Sequence, residues 1–173
     1  MLTQAWGVLG DATESWLTVS RFAVGGLFVW FASMKLGDPT VFWRQVMAYR
    51  ILGARGSRAF ASFVPPLEFI FGLFFASGVL PLASGGVLVS LLAIFSAALV
   101  SSLVRNLENE CGCGTNRTRV RPILLLRNAA IAAALVGGMF SPPVEYPGEL
   151  PILGIGGLLI VVIAANRFKT LGK

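Results

Sequence analysis

The sequence predicts an all-α integral membrane protein, a helix bundle in a single domain covering residues 1–173, and three observations carry that expectation. The hydrophobic share is 55 % while charged residues make up 13 %, against roughly 25 % charged in ordinary soluble domains. Apolar runs of bilayer-crossing length recur along the chain, and crossing takes roughly 20 residues. Positive charge falls in alternate connections between those runs. A chain of 173 residues has too little polar surface to hide this much apolar material in water.

Five spans are expected. The first runs about Trp16 to Met34, the second about Ala59 to Leu80 and the third about Leu82 to Val104. The fourth runs about Pro122 to Phe140, and a short, glycine-rich fifth about Leu150 to Asn166. In lipid every backbone polar group must be satisfied internally, so the spans are helices. Glycines such as Gly25, Gly26, Gly85 and Gly86 permit close helix approach, and packing is their simplest role. The first sixteen residues hold Asp11 and Glu14 and no Lys or Arg, unlike the basic start of a signal peptide. Trp6 and Trp16 would suit a helix lying in the membrane interface.

Loop charges set an expected orientation. The connection after the first span carries Lys35, Arg44, Arg50, Arg55 and Arg58 against Asp38, and the turn near Pro81 carries no charge. The next connection carries Arg105, Arg117, Arg119 and Arg121 against Glu108 and Glu110. After it come Glu145 and Glu149, then Arg167, Lys169 and Lys173. By the positive-inside rule this places the N-terminus outside, the C-terminus inside and the third connection on the cytoplasmic face of the inner membrane. The net charge of +6 is met by anionic lipid, so membrane lipid is the expected partner and nucleic acid is not.

That third connection reads ENECGCGTNRTRVR and holds both cysteines, Cys111 and Cys113. Three chemistries suit it. Cysteines two positions apart can close a tight, easily reduced ring, for which Gly112 and Gly114 supply unusual backbone angles. Nearby Arg117 and Arg119 favour the reactive thiolate, while Glu108 and Glu110 oppose it. The pair could instead hold a soft metal such as Cu(I); histidine, the commonest metal ligand, is absent, and no metal set is assigned. Two reduced, inert thiols in a cytosolic loop are the third reading.

Charges inside the spans come next, since each is costly in lipid. Glu68 lies roughly nine residues into the second span and Arg127 about six into the fourth, depths that differ by only about 5 Å. A Glu68–Arg127 pair is therefore a candidate, with Lys35 as the alternative partner. Such a pair either fixes helix register or lets Glu68 accept a proton beneath the cysteine loop. Pro65-Pro66 are expected to kink the helix and open a cavity there. Arg21 is expected to snorkel from the outer end of the first span.

The stretch RFAVGGLFVWFASMKLGDP, the basic stretch with Tyr49, VPPLEFIFGLFFASG and the CGCG loop, in that order, resemble the MauE family of the DoxX-like group over about Arg21 to Phe140. The resemblance implies a four-helix core, to which the fifth span is an addition, and a part in maturing redox enzymes of methylamine utilisation. Thiol chemistry in comparable bundles, such as that of vitamin K epoxide reductase, passes electrons to quinone through two cysteine pairs; this chain has one pair. A catalytic set of Cys111, Cys113 and Glu68 is thus expected, supported by Arg117, Arg119, Arg127 and Lys35. Quinone is the candidate cofactor, and a thioredoxin-like protein or a redox-enzyme subunit the candidate partner. A non-catalytic subunit or assembly factor of a larger complex is the competing expectation.

Overall fold

The computed structural model describes residues 2–107 and 120–141, with side chains from Trp16 onward. Within them the chain forms α1 (Leu2–Gly37), α2 (Pro39–Ala48), α3 (Ala54–Ser77), α4 (Pro81–Val104) and α5 (Ile123–Met139). The expected fifth span at 150–166 lies outside the described residues, as do Cys111, Cys113, Arg117 and Arg119.

Among the described residues, three helical stretches are long and apolar enough to cross a membrane: Trp16–Gly37, Ala54–Ser77 and Pro81–Val104. At 17 residues α5 is about 25 Å long, near the lower limit for a span. Helix α1 packs on α3, α3 on α4, α4 on α5 and α5 back on α1. The four long helices therefore close into a ring, the four-helix core that the MauE resemblance implied, and α2 lies against α3 outside it.

Local chemistry explains the ends. Helix α3 stops where Gly78 turns left-handed at φ 76°, with Val79 N–H donating to the Phe74 carbonyl at 2.9 Å, a glycine-capped end. Leu80 follows at φ 48° and Pro81 opens α4, where its missing N–H costs nothing. Pro65 and Pro66 sit inside α3, which runs through them unbroken to Ser77. They deny helical hydrogen bonds to the Ala61 and Ser62 carbonyls but do not end the helix.

The stretch read as a charged connection contains α2. Its start is written in the sequence: the Asp38 carboxylate accepts from Val41 N–H at 3.1 Å and from the Thr40 hydroxyl at 2.8 Å, with Pro39 in the first turn. This is an N-cap with proline behind it. Those bonds, the Thr40 hydroxyl first and Val41 N–H next, hold the Asp38 carboxyl below its ordinary range. Phe42 faces inward, 3 % exposed, and the Arg58 guanidinium lies over the Trp43 ring at 5.0 Å. The helix is largely apolar, and Phe42 is the ring it buries.

Two apolar clusters fill the ring. Val24, Phe28, Phe75, Leu88, Leu92 and Leu135 form one, and Tyr49, Leu99 and Leu124 a smaller one at the other end. The first is tight because glycines let backbones touch. A Cβ built on Gly25 would stand 2.7 Å from Ala76, one on Gly85 2.7 Å from Met139 and one on Gly138 2.8 Å from Phe75. In lipid, where water does not drive helices together, such close contact is the main source of association.

Candidate functional site

Lys35 closes α1 and Glu68 lies halfway along α3, so the α1–α3 packing brings them together. Lys35 Nζ donates to Glu68 Oε2 at 2.6 Å, with 7 % and 2 % of the side chains exposed. The ammonium also sits over two aromatic faces, Phe95 at 4.7 Å and Phe42 at 5.3 Å. Both charges are thereby satisfied away from lipid: the carboxylate by the ammonium, and the ammonium by the carboxylate and two ring quadrupoles.

Of the two partners expected for Glu68, Lys35 forms the pair. Arg127 shares a small cavity of ≈ 30 Å³ with Lys35, Glu68 and Asn128, but its Nη2 donates to Asn128 Oδ1 at 3.3 Å. Arg127 lies at the depth of Glu68, and the rotation of α5 turns it to Asn128 instead. Asn128 Nδ2 in turn donates to Ser96 Oγ on α4 at 3.0 Å, and Ser96 to the Leu92 carbonyl at 2.8 Å. Sequence reasoning missed Asn128 and Ser96. The signal was an amide beside Arg127 in a span whose other residues are apolar, and Asn128 is indeed buried.

The cavity beside Glu68 has room for about one or two waters by volume and is lined by both ends of an ion pair and by an amide. It is the place in the bundle where a proton could be held or passed. Its aromatic wall, Phe95, also borders a much larger cavity of ≈ 460 Å³ between α2, α3 and α4.

Arg21 does not snorkel. It is fully buried: Nη1 donates to the Ser141 hydroxyl at 2.7 Å, and its guanidinium lies where a Cβ on Gly78 would meet it at 2.9 Å. The α3–α4 turn and the end of α5 cover the side chain, so it braces the far end of the bundle.

The cysteine loop itself lies outside the described residues, but both its roots are defined. Arg105 Nη1 donates to the Tyr49 and Arg50 carbonyls at 3.2 Å each, tying the exit from α4 to the α2–α3 turn. Leu107 N–H donates to the Ser102 carbonyl at 3.0 Å, and Val120 packs against Tyr49, Leu99 and Leu124 where the chain returns. The loop is rooted at the end of the bundle that holds the ion pair.

A family model described as methylamine utilisation protein MauE matches residues 13–141. The chain belongs to the MauE family. A family member from Paracoccus denitrificans, methylamine utilization protein MauE, is 29 % identical over 142 residues, covering 80 % of this chain and 76 % of that one. No solved structure matches. The MauE match takes in Lys35, Glu68, both cysteines and Arg127, and stops short of the expected fifth span at 150–166.

Proposed function

We propose that this MauE-family membrane protein carries out thiol–disulfide exchange through Cys111 and Cys113, assisting disulfide formation or maturation of a redox enzyme in methylamine utilisation. The observation that carries the reading is the placement of the chain's two cysteines in one Cys-Gly-Cys unit, on a loop rooted above the Lys35–Glu68 pair. In exchange, one thiolate of the reduced pair attacks a partner disulfide, the partner's thiolate leaves, and the second cysteine resolves the mixed disulfide. The reverse sequence oxidises a partner dithiol. Arg117 and Arg119 favour the attacking thiolate. Glu68 takes or returns a proton, with Lys35 setting its affinity for it and Arg127 lining the same small cavity. The partner is a thioredoxin-like protein or a subunit of the maturing enzyme.

The same reading places the protein in the inner membrane with the cysteine loop on the cytoplasmic side. Exposed Arg44, Arg50, Arg55, Arg58, Arg105 and Arg121 gather at the loop's end of the bundle, and the Gly78–Leu80 turn opposite has none, in keeping with the positive-inside rule.

The competing reading is a non-catalytic assembly subunit. It draws on the large apolar side chains left exposed around the bundle, among them Trp30, Phe63 and Leu126, which suit lipid or a neighbouring membrane subunit alike. Labelling of intact cells with membrane-impermeant and permeant maleimides, with and without prior reduction, separates the two. A cytoplasmic, exchanging pair labels with the permeant reagent alone, and part of it only after reduction. Full labelling without reduction, together with retained function in the Cys111→Ser/Cys113→Ser variant, makes the protein a scaffold.

A further inference from the structure

The ≈ 460 Å³ cavity between α2, α3 and α4 has the size of a small-molecule site. Its walls are mostly apolar, with rings at Phe42, Tyr49, Phe60 and Phe95, and with Gln45 and Ser101 among the polar points. Phe60 and Phe95 meet edge to face at 6.0 Å, a stiff aromatic corner. Ile51, Leu52 and Ile94 on its border are exposed, so the cavity opens to the outside of the bundle through an apolar rim that suits an apolar molecule.

The chain's own cysteine loop does not suit this space. Its sequence, ENECGCGTNRTR, is too polar for an apolar chamber, since each unpaired buried charge or amide would carry a desolvation cost. Yet the loop springs from the chamber wall. Arg105 holds the Tyr49 carbonyl, Val120 packs on Tyr49 and Leu99, and Tyr49, Leu99 and Ser101 all line the cavity.

We infer that this cavity binds the ring of a membrane quinone, which reoxidises the Cys111–Cys113 pair. The inference rests on the thiol–disulfide reading. If the pair oxidises partner dithiols it must be reoxidised: forming the S–S bond releases two electrons and two protons. A quinone takes up both and leaves as hydroquinone, so the step balances. The ring carbonyls accept hydrogen bonds, for which the Gln45 amide and the Ser101 hydroxyl are two of the donors in the lining, and the isoprenoid tail leaves past Leu52 and Ile94 into lipid.

The test uses the full chain in nanodiscs with a short-tailed ubiquinone carrying a photoreactive azide. Crosslinks are expected in the segments 42–52 and 94–101, competed by unlabelled quinone and not by phospholipid. Ala98→Trp, which places an indole in the chamber, should weaken binding by about tenfold or more, with helix content by circular dichroism as the check on folding. Should that variant fail to assemble, Leu52→Trp at the rim serves the same purpose. Labels scattered over the lipid-facing surface, competition by phospholipid, or undiminished binding to a folded cavity-filled variant would overturn the site. The Cys111→Ser/Cys113→Ser variant should bind quinone as the parent does. Binding without thiol exchange in cells would sink the redox reading and keep the site; exchange without binding would do the reverse.

Discussion

The two ends of the bundle are built on different physics. At the end that carries Gly78, helices touch through glycine: Gly25 against Ala76, Gly72 against Phe28, Gly138 against Phe75, with one buried arginine braced on Ser141. At the end that carries Asp38, aromatic rings and charges hold the helices apart, and the cavities beside Glu68 and beside Tyr49 lie there. Close backbone contact leaves no room for chemistry, whereas an ion pair ringed by Phe42 and Phe95 leaves space that a proton or a ligand can use. One end supplies cohesion; the other holds the residues with chemistry to offer.

Substitutions at the two ends should separate these roles. The largest expected loss is at the ion pair. Glu68→Leu leaves Lys35 buried without its carboxylate and should cost about 3–5 kcal/mol, most of it recovered in Lys35→Met/Glu68→Leu. Unfolding in mixed micelles on titration with dodecyl sulfate measures both; a double variant no better than the single would show that the pair itself is essential to assembly. Gly25→Ala comes next, because its Cβ meets the Ala76 backbone at 2.7 Å, and should cost about 1–3 kcal/mol by overpacking. Its neighbour Gly26 has nothing within 4 Å, so Gly26→Ala should be neutral or stabilise by up to about 1 kcal/mol. Equal effects at the two glycines would undo the contrast drawn here.

Smaller effects are expected along the polar chain. Ser96→Ala removes the acceptor for Asn128 and should cost about 0.6 kcal/mol, the average for such bonds in membranes. The same titration reads it, and a loss as large as that of Glu68→Leu would make the amide chain as important as the ion pair. Least of all is the cap of α2. The Asp38 carboxyl lies below its ordinary value of 3.8, chiefly through the Thr40 hydroxyl. A lowered folded-state value means that the cap's contribution is fully present above that ordinary value and fades as pH falls through the lowered one. The protection factors at Val41 and Phe42 should therefore fall in acid, once the intrinsic slowing of amide exchange is divided out, and Asp38→Ala should show the lower protection at every pH.

Some of this was legible beforehand. Apolar runs revealed the membrane bundle because lipid admits few alternatives to helices, and charge depth placed Glu68 and Arg127 at one level, with Lys35 as the alternative partner. Helix α2 was hidden because at ten residues it is too short to register as a span, although Asp38, Pro39 and Thr40 had marked its start.

The amino-acid sequence alone determined the solvent of this protein, its helical class, its family and the segregation of charge to one end, since each follows from composition and order along one chain. Only the tertiary structure decided that Glu68 pairs with Lys35 and that Arg127 turns to Asn128, that Arg21 is buried, and that α2, α3 and α4 enclose a chamber beside the roots of the cysteine loop. Those outcomes depend on how each helix rotates about its axis and on which neighbour it meets. A rotation of one residue, about 100° in a helix of 3.6 residues per turn, exchanges one ion-pair partner for another and leaves hydropathy unchanged.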